Sequence, residues 1–133
     1  MSQENVEVVR RIYEQGLLDR QPEQVLALFS PDVEFVNPPE AVEPGVRRGI
    51  PELAHALQSV TESFDSTQHE LLDLSDAGGS VVAWLNFRTR SGGSETEVVQ
   101  QEAHTWTFRA GKVVRFEWGR DRAAALEAAG LSE

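Results

Sequence analysis

Residues 102–109 read EAHTWTFR. Successive side chains of an extended segment point to opposite sides, so His104, Trp106 and Phe108 share one face with Glu102 and Gln100, while Ala103, Thr105 and Thr107 share the other. A histidine on an aromatic face admits two readings. Imidazole titrates at about pH 6.5, so His104 can exchange a proton near neutrality, and a nearby carboxylate would hold its tautomer and raise its basicity. Equally, a half-buried histidine can bond to a backbone carbonyl or a side chain of a packed helix and do no chemistry. Asn37, in VNP, can orient a ligand carbonyl or a water through its carboxamide, or simply start a turn, as Asn-Pro commonly does. Asp121 can act as a base if desolvated, yet an acid in the first turn of a helix is already stabilised by the helix dipole. A rise of about 3.3 Å per residue carries Gln100 towards an open edge. Arg120 reads as a surface residue. His55 and His69 read as incidental, the first off the apolar side of its helix and the second in a polar strand start. Neither shows metal-ligand spacing with His104, so no metal is assigned. There is no Gly-rich phosphate loop and no nucleophile elbow, and no cofactor is expected.

The elements that must position these residues follow from periodicity. A helix is predicted from about Gln3 to Asp19, with Val6, Val9, Tyr13, Gly16 and Leu17 along one face and Val8 and Ile12 widening it. A second begins at Pro22, carries Val25, Leu26, Leu28 and Phe29, and stops at Ser30-Pro31. A short strand, Val33 to Asn37, puts Val33, Phe35 and Asn37 on one face. The stretch NPPEAVEPGVRRG, Asn37 to Gly49, reads as a long irregular connection of the kind that is often functional. A third helix runs from Pro51 to about Val60, with Leu53, Ala56, Leu57 and Val60 inward. Then the period becomes strand-like near 65–74, 81–90, 95–108 and 112–118, separated by DAGG, SGGS and RAG turns, an antiparallel meander. Unbroken alternation puts Val114, Phe116, Trp118 and Arg120 on one face of the last strand. DRAAALEAAGL, Asp121 to Leu131, closes as a short helix. The fold class is α+β, helices against one face of a curved sheet. Within 81–89, Val81, Ala83, Leu85 and Phe87 are assigned inward. The outer set includes Trp84, a candidate subunit contact or a lone surface tryptophan.

Composition bounds what such a domain can do. At 133 residues one domain with one real core is expected, 1–133 throughout. Twelve Lys and Arg against 22 Asp and Glu give a formal charge of −10, which repels phosphate backbones and anionic headgroups, so neither nucleic acid nor membrane is expected as a partner. Cysteine is absent, which removes disulfides, thiolate ligands and a cysteine nucleophile and suits a reducing cytoplasm. No apolar run approaches the length of a membrane span, and MSQENVEVVRR lacks an apolar signal core. A soluble cytoplasmic protein is the expectation.

The order of elements, together with YEQGLLDRQPEQVLALFSPDVEFVNP, VRRGIPEL, AHTWTFRAGKVVRFEWGRD and the closing DRAAALEAAGL, resembles the SnoaL-like branch of the nuclear transport factor 2-like superfamily over nearly the whole chain. The resemblance implies a cone-shaped α+β barrel: a strongly curved mixed or antiparallel sheet wrapped around three N-terminal helices, with a short C-terminal helix. It also implies a small-molecule pocket at the wide end and a homodimer paired through the outer sheet face. Ketosteroid isomerase, a relative whose base and oxyanion hole the general chemistry of such sites already documents, places its base just before a proline at the end of the first strand. That position is Asn37, which cannot accept a proton at neutral pH, so steroid isomerisation is disfavoured. The isomerase tyrosine falls near Ile12, with Tyr13 one position on and turned by about 100°. Its protonated aspartic acid falls on His104. SnoaL-type cyclases pair a pocket histidine with an aspartate near the end of the last strand, where Asp121 is the nearest carboxylate.

The resemblance therefore names His104 and Asp121 as catalytic candidates, and Ile12, Tyr13, Phe35, Asn37, Trp106, Phe108, Phe116 and Trp118 as pocket residues. The reading is a cofactor-independent isomerase, cyclase or dehydratase acting on a small apolar carbonyl compound. The alternatives are a binding protein for a small apolar ligand, and a dimeric interaction protein with a vestigial cavity. A fold of this kind hosts many functions, so the choice rests on the site.

Overall fold

The computed structural model describes residues 2–93 and 95–131, beginning with three short helices, α1 (Ser2–Glu14), α2 (Leu17–Arg20) and α3 (Pro22–Leu26). Periodicity alone merges the first two. The chain separates them at Gly16, whose φ of 63° is left-handed, a conformation glycine adopts without the Cβ clash other residues meet. Tyr13 and Asp19 thus sit on either side of one hinge-like residue. Pro22 occupies the first turn of α3, where its missing N–H costs nothing.

Strand β1 (Phe29–Asn37) starts earlier than the expected Val33 and takes in Phe29, assigned above to the second helix. Its Pro31 is accommodated where the pairing with β6 is irregular, between Phe29 and Glu34. The connection after Asn37 is not wholly irregular: β2 (Gly45–Arg48) pairs antiparallel with β1, Phe35 opposite Arg47 and Asn37 opposite Gly45. There follow α4 (Ile50–Glu62), β3 (Ser66–Asp76), β4 (Ser80–Arg90), β5 (Val98–Arg109), β6 (Lys112–Gly119) and α5 (Arg122–Ala128).

The six strands form one curved, open sheet in the order β2-β1-β6-β5-β4-β3. β1 and β6 run parallel, and every other neighbouring pair is antiparallel. On the inner face His104 lies opposite Ala83 and Trp118, and Trp106 opposite Val81 and Phe116. Val9, Ile12 and Tyr13 of α1 join this face in the core. Each aliphatic side chain buried there contributes about 1.5–3 kcal/mol, so the helix is held by its apolar stripe rather than by its length.

Two expectations about faces are corrected. Thr107 pairs with Arg115 but Phe108 pairs with Val113, so Val114 is the extra residue of a bulge. A bulge reverses the alternation beyond it, and Val113, fully buried, packs inward in place of Val114. Nor do all helices lie on one side. α5 packs on the outer face against β4 and β5, where Val82 and Ala103 are buried, and the Arg122 guanidinium sits 5.8 Å from the Trp84 ring centre. Elsewhere the outer face is polar: Arg88 bridges Glu70 and Glu97, and Arg115 faces Glu34 and Glu117. No helix of the described residues is long and apolar enough to cross a membrane.

Candidate functional site

A chain of hydrogen bonds crosses the inner face, and the donors and acceptors available fix its direction. The Trp106 indole Nε1–H, which can only donate, donates to Tyr13 Oη at 2.9 Å. The single Tyr13 proton is then free for His104 Nδ1, 2.6 Å away. His104 Nε2 lies 2.9 Å from Glu102 Oε1, and as the protonated nitrogen of a neutral ring it donates to the carboxylate. Gln100 Nε2 donates to the other carboxylate oxygen at 2.9 Å. Strand alternation supplies Gln100, Glu102, His104 and Trp106 from one strand, and α1 supplies Tyr13 from above.

Burial sets the charges in this chain. His104 is 3% exposed and Glu102 6%. Burial holds the imidazole below its ordinary 6.5, against the opposing pull of the Glu102 carboxylate. Burial works to raise Glu102 too, but the His104 hydrogen bond and the charges around it outweigh that, and its pKa ends below 4.5. Burial drives the Tyr13 hydroxyl well above its usual range. Near neutrality the arrangement is thus phenol, neutral imidazole and carboxylate, each proton assigned.

A second histidine–carboxylate pair, read as incidental from sequence, stands beside the first. Asp19 Oδ1 accepts from His69 Nδ1 at 2.7 Å and from Thr67 Oγ1 at 2.8 Å, and Asp19 Oδ2 accepts from the His69 backbone N–H at 3.0 Å. Burial opposes ionisation of Asp19, yet the His69 hydrogen bonds carry its pKa below 3.8. The His69 ring stacks on Phe87 with centres 4.5 Å apart and lies 5.8 Å from the His104 ring. The signal that could have found it was the hairpin register: His69 lies opposite Phe87, which periodicity had already placed inward.

The remaining expected residues divide into core, turn and cap. Ile12, Phe35, Trp106, Phe108 and Phe116 are all buried, Phe35 stacks on Phe116, and Trp106 meets Phe116 edge to face. Asn37 has both ends of its carboxamide bonded, accepting from Trp118 Nε1 at 2.6 Å and donating to the Glu43 carbonyl at 2.8 Å. It ties the connection after β1 to the end of β6. Asp121 caps α5, its carboxylate accepting from Ala124 N at 3.1 Å. It lines an outer cleft of about 430 Å³ with Ala103, Thr105 and Glu117, on the side of the sheet away from His104. Among the described residues no group of three or more His, Asp or Glu is placed to hold a metal ion.

Solved structures share this fold. TerC, co-crystallised with polyporic acid, is 26% identical, with a TM-score of 0.73 over 95% of this chain and 98% of its own. A Catenulispora acidiphila protein with a ketosteroid isomerase-like fold, in complex with trimethylamine, is 15% identical, with a TM-score of 0.73 over 94% and 93%. A Burkholderia pseudomallei protein of the nuclear transport factor 2-like type, of unknown function, is 23% identical, with a TM-score of 0.75 over 92% and 95%. No curated protein matches the sequence. The family model described as the SnoaL-like domain matches residues 9–116, and with the sheet order and helices above it places this chain in the SnoaL-like domain family.

Proposed function

We propose that the protein takes a small, largely apolar carbonyl compound onto the concave side of its sheet and moves a proton on it without a cofactor, as an isomerase, cyclase or dehydratase does. The observation that carries this reading is the Tyr13–His104–Glu102 chain: an ionised carboxylate and a neutral imidazole, both buried, on a wall of aromatic side chains. A carboxylate kept dry beside an imidazole is a base whose proton can be stored and returned, the requirement of general acid–base catalysis. Glu102 is the member nearer the open end, since Gln100 beyond it is half-buried and Val98 is 60% exposed. On α4, Leu53 is buried, Ala56 and Leu57 are half-buried and Val60 is 37% exposed, a stripe uncovered progressively as it would be beside a ligand. Two proteins of the same fold hold small organic molecules, polyporic acid and trimethylamine. Asp121 has no part in this reading.

The test is exchange of α-protons for deuterium in a panel of small cyclic ketones, followed by NMR. Acceleration by the protein, reduced about 100-fold or more in a Glu102→Gln variant that still melts cooperatively well above the assay temperature, is the expected result. Equal rates with and without protein for every ketone would refute proton transfer. One observation favours a second reading, a binding protein: both His104 nitrogens are already engaged within the chain. Mass spectrometry of an apolar compound released from the purified protein, with no turnover of it, would select that reading.

A further inference from the structure

His69 differs from His104 in one respect that bears on chemistry. Its Nδ1–H is committed to Asp19, which fixes the neutral ring as the tautomer with a lone pair on Nε2. That Nε2 has no hydrogen-bond partner among the described residues, and it is not sealed away, because the single buried orphan side-chain atom among them is Arg115 Nε. The ring is nonetheless fixed: it stacks on Phe87, it is 12% exposed, and its carboxylate partner is itself held by Thr67 and by the His69 backbone. It shares the inner face with His104, ring centres 5.8 Å apart. A rigid acceptor on an inner face rich in aromatic side chains fits a planar molecule that carries a hydroxyl.

We propose that the Asp19–His69 pair is a ligand-contacting element of this site, with His69 Nε2 accepting the proton of a phenolic or enolic hydroxyl. The inference rests on the small-ligand reading above and names the class of compound. Acceptance passes into transfer when the ligand O–H bond breaks and the Nε2–H bond forms. The oxygen keeps the electron pair, the Asp19 carboxylate offsets the new imidazolium, and the reverse step returns the proton. His69 is then the group that meets the ligand hydroxyl, and Asp19 positions it.

The experiment compares two probes of one shape, 2-naphthol and 2-methoxynaphthalene, by fluorescence titration against the full chain. Wild-type protein binds the naphthol about tenfold more tightly, the factor a single well-placed hydrogen bond supplies. His69→Phe keeps a ring against Phe87 and reduces that preference to about twofold or less. Asp19→Asn leaves the imidazole in place but no longer enforces its tautomer, and lowers the preference as well, which a purely structural role for Asp19 would not do. If His69→Phe does not fold, judged by circular dichroism melting, Asp19→Asn decides the matter. A preference retained in the folded variants overturns the proposal. Equal binding of both probes by wild type overturns it while leaving the apolar site intact, and no binding of either overturns it together with the reading on which it rests.

Discussion

Tyr13 Oη and His104 Nδ1 lie 2.6 Å apart although 91 residues separate them in sequence. The tyrosine is a junction, since it also accepts the Trp106 N–H, and two buried side chains depend on a single oxygen. Tyr13→Phe keeps the ring packed and removes that oxygen, orphaning Trp106 Nε1 and His104 Nδ1. The expected loss is about 1–3 kcal/mol for each orphaned group, read as a lower denaturation midpoint in urea with little change in slope.

Acid should weaken the fold in two stages. Folding lowers the His104 pKa below 6.5, so on acidification the unfolded chain takes up that proton first, and stability present above about pH 6.5 is lost as the pH falls towards the folded value. Glu102 and Asp19, lowered below 4.5 and 3.8, add a second loss at more acidic pH by the same sign. Melting temperatures recorded from pH 8 to pH 3 should show both, and His104→Gln should remove the upper one. A flat profile between pH 7 and pH 5 in wild type would contradict the neutral-imidazole assignment.

Gly16→Ala probes the break between α1 and α2. A Cβ there would adopt φ 63° and approach Arg20 Nε to 3.1 Å. The left-handed conformation costs a residue with a side chain about 1–2 kcal/mol, while the arginine can move aside, so a loss of that size in chemical denaturation is expected.

Asp121→Ala separates the cap from chemistry. Loss of the carboxylate from the start of α5 should cost about 1 kcal/mol of stability. Deuterium exchange of any ketone the protein accepts should be unchanged, because Asp121 faces the outer cleft. A large drop in exchange at full stability would bring this aspartate back into the reaction.

Much of the fold was legible because its cues are local. DAGG, SGGS and RAG mark turns by composition, and the alternation through EAHTWTFR orients His104 without knowledge of any partner. What was lost depends on long-range pairing. GVRR has no strand signature of its own and becomes β2 only because β1 lies alongside. Val114 is indistinguishable from Val113 until β5 sets the register. The alternation places Glu102 beside His104, but a glutamate in a strand usually faces water, and nothing local says that this one is buried. His69 sits in a polar strand start, and its partner, Asp19, lies 50 residues away on α2, which periodicity merges with α1, so nothing local marks the pair.

The parallel pairing of β1 with β6 makes β6 the keystone of the sheet. Until Phe116 has been synthesised and lies beside Phe35, the β1–β2 hairpin has an unsatisfied edge and no wall to close against, whereas β3, β4 and β5 can assemble among themselves by adjacent hairpins. Such a non-local closure is slow relative to hairpin formation and leaves strand edges open to other chains meanwhile. Truncations that stop short of β6 should therefore aggregate rather than yield a smaller folded unit, and substitutions at the β1–β6 seam should slow refolding more than equally buried changes in the meander.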